Sequence, residues 1–201
     1  MKQCRKLVTI VGAQAIYLRS IDVDLAVASF TSDADLGLDP DRLADVPHDR
    51  MSARRVAGLE PAVVDYDMMK VPSLEPDVDS RVIEARVAGV AALFVAKSYK
   101  ITQRVGEPGQ RRLTNKDAGD VLRLMMATAP ENVIERFGVL LADGRSADVT
   151  RTGLGYLQRL FGASATIGTE MAVSALAGAV DGDDVRAIAP AYVAALSAEL
   201  G

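Results

Sequence analysis

The amino-acid sequence predicts an α+β fold: a small N-terminal mixed sheet with helices over residues 1–82, followed by an all-helical part over 83–201. Three observations lead there. Short β-branched or alternating runs are confined to the first eighty residues. From residue 83 onward the apolar residues recur at helical spacing between glycine-containing breaks. The composition, 49% hydrophobic and 25% charged, is that of a chain with a packed core.

The elements follow in order. Leu7 to Val11 is a β-branched run closed by Gly12, which reads as a buried strand, and Ala13 to Arg19 holds helix formers. Phe30 to Leu38 alternates, with Asp33, Asp35, Gly37 and Asp39 on one side and Ala34, Leu36 and Leu38 on the other. Period-2 alternation predicts a strand with one wet face. Pro40 to Asp49 reads as a polar turn region or short helix, Ala62 to Met69 as a third strand, and Val71 to Asp79 as a loop. Val87 to Val105 is expected to be one long helix, and Asn115 to Thr128 a second, stopped by Pro130. Further helices are expected over 132–142, 153–161, 169–180 and 183–200.

Composition excludes several chemistries. Cys4 is the single cysteine and His48 the single histidine. A disulfide framework, a multi-cysteine zinc site and a two-histidine metal site are thereby ruled out. Aromatics are 4% with no Trp, too few for a base-stacking platform. Chemistry must run on carboxylates, lysines, arginines and hydroxyls. Net charge is −4, yet Lys97, Lys100, Arg104, Arg111, Arg112 and Lys116 are opposed within their segment by Glu107 alone. A basic patch on an acidic chain suits a polyanion held at one place. Taken alone, it is equally a solvated loop between helices.

Lys2, Arg5 and Lys6 precede the mostly apolar Leu7–Leu18, which mimics a secretory leader, but Gly12 and Gln14 interrupt it. No run approaches the ~18 apolar residues of a membrane span. A cytoplasmic protein without a membrane partner is expected.

The residues that carry chemistry stand in a fixed order: Gly12-Ala13 after a strand, Thr31-Ser32-Asp33-Ala34-Asp35, Lys97, and Asp117. Asp33 and Asp35, two apart on an extended segment, project from one face and suit Mg²⁺, which takes hard oxygen ligands. A glycine turn between strand and helix offers backbone N–H groups to phosphates. A lysine set against phosphates offsets charge developing in phosphoryl or nucleotidyl transfer. Each piece has a plain structural reading as well. Thr114-Asn115-Lys116-Asp117, for instance, is a pattern that caps a helix start.

Gly12-Ala13-Gln14-Ala15 with Thr31-x-Asp33-x-Asp35-Leu36, then Val95-Ala96-Lys97 and Lys116-Asp117-Ala118-Gly119-Asp120, resembles the AbiEii-type nucleotidyltransferase toxins, which include the MenT toxins. The resemblance covers residues 7–39 and 53–125. It implies a polymerase-β-like nucleotidyltransferase core and metal-dependent transfer of a nucleotide from an NTP to RNA, in MenT-like members the 3′ end of tRNA, opposed by a cognate antitoxin. Mg²⁺ or Mn²⁺ is the implied cofactor. Asp33 would be the principal metal carboxylate with Asp35 its partner; Gly12, Ala13, Thr31 and Lys97 would hold the nucleotide; Asp117 would close the site from the helical part. Lys100, Arg104, Arg111 and Arg112 would meet the RNA. Two departures stand out. Ala13 replaces the family's serine or second glycine. The stretch after the D-x-D strand is also short, so a third carboxylate falls to Asp65 or Asp67, or the site is incomplete. The alternative implied by that shortening is a catalytically degenerate relative acting as a binding or regulatory partner.

Overall fold

A computed structural model describes residues 8–21, 23, 35–39, 56–73, 77–105 and 111–201, with side chains of the last segment from residue 115 onward. Their elements are β1 (Val8–Val11), α1 (Gly12–Arg19), β2 (Asp35–Leu38), a 3₁₀ turn (Glu60–Val63), β3 (Tyr66–Pro72), β4 (Val82–Ala88), α2 (Val90–Arg104), α3 (Arg111–Ala127), α4 (Pro130–Ala142), α5 (Ala147–Phe161), α6 (Ile167–Ala175) and α7 (Gly182–Leu200). The fold is α+β, with a four-stranded mixed sheet and a helical C-terminal part.

The sheet order is β2-β1-β4-β3. β2 runs antiparallel to β1, with Ile10 opposite Leu36 and Val11 opposite Asp35. β4 lies parallel to β1, Thr9 beside Arg86, and antiparallel to β3, Met68 beside Arg86. Partners opposite one another share a face and successive residues alternate. One face therefore carries Asp35, Gly37, Thr9, Val11, Arg86, Tyr66 and Met68. The other carries Leu36, Ile10, Val87 and Asp67.

Several expectations change. The third strand, expected over Ala62–Met69, runs over Tyr66–Pro72 after a 3₁₀ turn at Glu60–Val63, so Val71 and Pro72 belong to a strand and not to a loop. β4 begins at Val82, so a central strand of the sheet comes from the segment expected to be wholly helical. The apolar run 87–105 breaks at Gly89, the N-cap of α2, where the backbone is extended (φ −70°, ψ 162°). The buried end of β4, Arg86–Ala88, leads at once into the buried start of α2, so no polar period marks the junction within the apolar run. Leu36 and Leu38, expected on a dry face, are 55% and 37% exposed. β2 stands at the end of the sheet order, where a strand is covered on fewer sides. Phe30–Ala34 and Pro40–Asp49 lie outside the described residues.

A single cluster of buried apolar side chains runs from Val11, Ala15 and Ile16 through Val87, Leu93 and Phe94 to Leu122, Phe137, Phe161 and Leu196. The sheet and the helices thus share one core, and the expected division at 82/83 falls at the start of one of its strands. The helical part follows the expected order, with α5 starting six residues earlier than the glycine at 153 suggested. Gly153 allows close approach: a Cβ there would meet Val95 of α2.

Candidate functional site

β1 passes into α1 with no linker because Gly12 adopts φ +68°, a left-handed conformation costly for residues with a Cβ. Val11, at the N-cap, has no side-chain acceptor to offer the first N–H groups of α1. Asp35 faces Val11 across the antiparallel pair, and a Cβ on Gly12 would collide with its carboxylate. An exposed carboxylate therefore lies against the glycine that opens a helix N-terminus. Asp35 and Gly12, both candidates from the sequence, are brought together, and Ala13 sits in the first turn of the same helix. Thr31 and Asp33 lie outside the described residues.

Asp65 has another occupation. Its Oδ2 accepts from the N–H of Ala92 at 2.9 Å, which caps α2 from outside the helix, and its Oδ1 meets Arg136 at 2.6 Å. Gly89 leaves room for this: a Cβ there would overlap the Asp65 carboxyl group. Arg136 extends its second arm to Asp67 at 2.7 Å, and Arg19 of α1 reaches Asp67 at 2.6 Å while donating to the carbonyls of Val87 and Ala88. Burial pushes the Asp67 carboxyl upward, but Arg19 and Arg136 outweigh it and hold the group below the usual carboxylate range. Asp65 adjoins the start of β3, three strands from Asp35 on β2. At about 4.8 Å per strand that is about 14 Å, too far for two carboxylates with metal–oxygen bonds of ~2 Å to share one ion. Asp65 thus departs from the metal role given to it; it ties the sheet to α2 and α4.

Lys97 and Asp117 meet, in an arrangement the sequence reading did not anticipate. The Lys97 Nζ lies 2.6 Å from Asp117 Oδ1 and 2.8 Å from Asp120 Oδ2, all three groups buried. Lys100 approaches Asp117 at 3.0 Å and Arg104 at 3.4 Å. Burial lowers the affinity of the Lys97 amine for its proton, yet Asp120 and Asp117 outweigh burial and raise its pKa above the ordinary lysine value. Five groups carry a formal +1: three cations on one face of α2 against two carboxylates one turn apart on α3. Asp117 lies inside α3, which begins at Arg111, rather than in a capping box at its start. The side chains of Arg111 and Arg112 lie outside the described ones.

No protein-family model, no curated protein and no solved structure matches this chain. The site stands on its geometry. Among the described residues no group of three or more His, Cys, Asp or Glu side chains is arranged to hold a metal ion. Asp35 supplies hard oxygen donors of the type Mg²⁺ takes. Among the described residues, no helix is long and apolar enough to cross a membrane.

Sequence reasoning missed Arg19 and Arg136, named Asp67 only as an alternative third carboxylate, and gave Asp120 a place in a motif but no partner. Asp120 was visible, as the second carboxylate one turn from Asp117. Arg19 and Arg136 gave no signal, since an arginine on a helix is ordinarily solvated and its partner here is over sixty residues away.

Proposed function

We propose that the chain is a metal-dependent nucleotidyltransferase that moves a nucleotide from an NTP onto RNA, the 3′ acceptor end of tRNA being the favoured acceptor, in the cytoplasm and under control of a cognate antitoxin. One observation carries the reading: the Asp35 carboxylate packed against Gly12 at the N-terminus of α1. A helix N-terminus presents N–H groups and partial positive charge to phosphates. A neighbouring carboxylate pair is where a divalent ion would bridge protein and phosphate oxygens. Bound Mg²⁺ would offset charge on the transferred phosphorus and orient the attacking hydroxyl. In this reading Asp33 and Asp35 hold the ion, Gly12 and Ala13 receive phosphates, Thr31 borders them, and Lys100 and Arg104 give the acceptor RNA a basic approach. Lys97 and Asp117 act one step back, fixing α2 against α3.

The test is Mg²⁺-dependent incorporation of labelled NTP into total RNA by the purified chain, offering each of the four NTPs. Incorporation is expected, and Asp33→Asn and Asp35→Asn are each expected to abolish it with the fold intact. A second reading, a nucleotidyltransferase-like chain that binds without catalysis, is favoured by one feature: the Lys97 charge is already met by two carboxylates. Absence of incorporation with all four NTPs selects it.

A further inference from the structure

Arg86 brings a fixed positive charge into the middle of the sheet. It sits on β4 inside an otherwise apolar stretch, Ala85–Ala96, and is only 8% exposed. Its guanidinium carbon lies over the Tyr66 ring, 4.3 Å from the centroid, and among the described residues no carboxylate pairs with it. Arginine does not lose its proton in a protein, so this charge cannot be relieved by titration. A buried ion without a counter-ion is costly, and stacking on a tyrosine returns only part of that cost. Buried Lys97, by contrast, is matched by two aspartates.

Its position gives the uncompensated charge a use. Arg86 is beside Thr9 on β1, and Thr9 is opposite Gly37 on β2. Alternation puts Asp35, Thr9, Arg86 and Tyr66 on one face of the sheet. Tyr66 pairs with Ala88, two residues nearer than Arg86 to the end of the sheet where Gly12 opens α1. The guanidinium over Tyr66 therefore leans toward the Gly12 end. Asp35 and Arg86 are two strands apart, a lateral separation of about 10 Å. Met68, beside Arg86 on the same face, is 57% exposed, whereas Thr9 and Val11 are covered, so the approach to the guanidinium is from the β3 side.

We infer that Arg86, held over the Tyr66 ring, is an anion-binding residue that takes the phosphate chain of a nucleoside triphosphate on the Asp35 face of the sheet. This rests on the nucleotidyltransferase reading for the identity of the ligand, but the site is defined by its own geometry. A planar guanidinium offers paired N–H donors to two phosphate oxygens, a match an ammonium lacks. An incoming polyphosphate supplies the missing counter-charge, so the cost stored in the free protein becomes binding energy.

Inorganic triphosphate in magnesium-free buffer is the probe, and thermal unfolding of the full chain the readout. Triphosphate is expected to raise the Tm of the wild-type chain saturably and to leave that of Arg86→Met unmoved. Arg86→Lys keeps the charge but loses the planar fork, and is expected to bind triphosphate about tenfold more weakly. If Arg86→Met does not fold, the Lys variant decides alone. No shift in the wild type, equal shifts in wild type and Arg86→Met, or undiminished affinity in Arg86→Lys overturns the assignment. The RNA-labelling assay separates the two ideas. Transfer with Arg86-independent triphosphate binding leaves the reaction and removes Arg86. Arg86-dependent binding without transfer leaves Arg86 and removes the reaction.

Discussion

Gly12 and Gly89 are both glycines at the threshold of a helix, for different physical reasons. Gly12 holds φ +68° and has the Asp35 carboxylate where a side chain would begin. Gly12→Ala is therefore expected to cost about 1–2 kcal/mol from the backbone conformation alone, with the collision added. Its urea midpoint should fall, and its labelling activity should fall further than stability accounts for, because Asp35 must move. Gly89 has φ −70°, which any residue adopts, and is constrained only by the Asp65 carboxyl group. Gly89→Ala should destabilise the wild type by displacing that cap, a contribution of about 1 kcal/mol or more. In an Asp65→Ala background the same change should cost almost nothing. A double-mutant cycle by urea unfolding checks this, and additive costs would show that Asp65 is not what Gly89 accommodates.

Between elements, the α2–α3 seam is held by charge. The positions of Lys97, Lys100 and Arg104 recur at i, i+3 and i+7, so α2 turns one cationic edge toward Asp117 and Asp120. Removing Lys97 takes from buried Asp120 the cation it pairs with and leaves Asp117 to the more exposed Lys100 and Arg104. Lys97→Met should cost about 3–5 kcal/mol, whereas Lys100→Ala, whose side chain is 38% exposed, should cost about 1 kcal/mol or less. Replacing the group as a whole, Lys97→Met with Asp117→Leu and Asp120→Leu, should recover most of the loss, because a well-packed apolar set avoids the desolvation penalty. Failure of the triple variant to exceed Lys97→Met in stability would mean the cluster contributes more than charge balance.

Across the whole molecule, one core and two ionic ties make the sheet and helices a single unit. Arg136 of α4 bridges Asp65 and Asp67, and Phe94 of α2 packs on Tyr192 of α7. Urea unfolding is expected to be a single transition, coincident by far-ultraviolet circular dichroism and tyrosine fluorescence. Two separated transitions would show that the sheet and the helices fold independently. The ionic ties set the pH limits. The Lys97 pKa is raised in the folded chain, so its contribution is complete below the ordinary lysine value of ~10.4 and is lost as pH climbs through the raised one. The Asp67 pKa is lowered, so its contribution is complete above the ordinary ~3.9 and is lost as pH falls through the lowered one. Stability should stay level with respect to these two groups between about pH 4 and 10. Asp67→Asn should flatten the acid limb, and a Tm profile unchanged by that substitution would remove Asp67 from the account.

By itself the sequence determined the fold class and the order of most elements. Those follow from local rules: β-branched runs, period-2 alternation, helical spacing, and a glycine where a strand must turn directly into a helix. It also put Lys97 and Asp117 into one constellation. What only the tertiary structure decided is who neutralises whom. Lys97 reads as a free phosphate-facing lysine until α3 starts early enough to bring Asp117 and Asp120 beside it. Asp65 reads as a metal carboxylate until β4 and β1 are seen to stand between it and Asp35. Arg86 reads as an interruption of an apolar run until the parallel pairing with β1 sets it on the Asp35 face. Periodicity records which side of its own element a residue occupies. Charge compensation depends on what the neighbouring element brings to that side, and those partners are separated by twenty to seventy residues of chain.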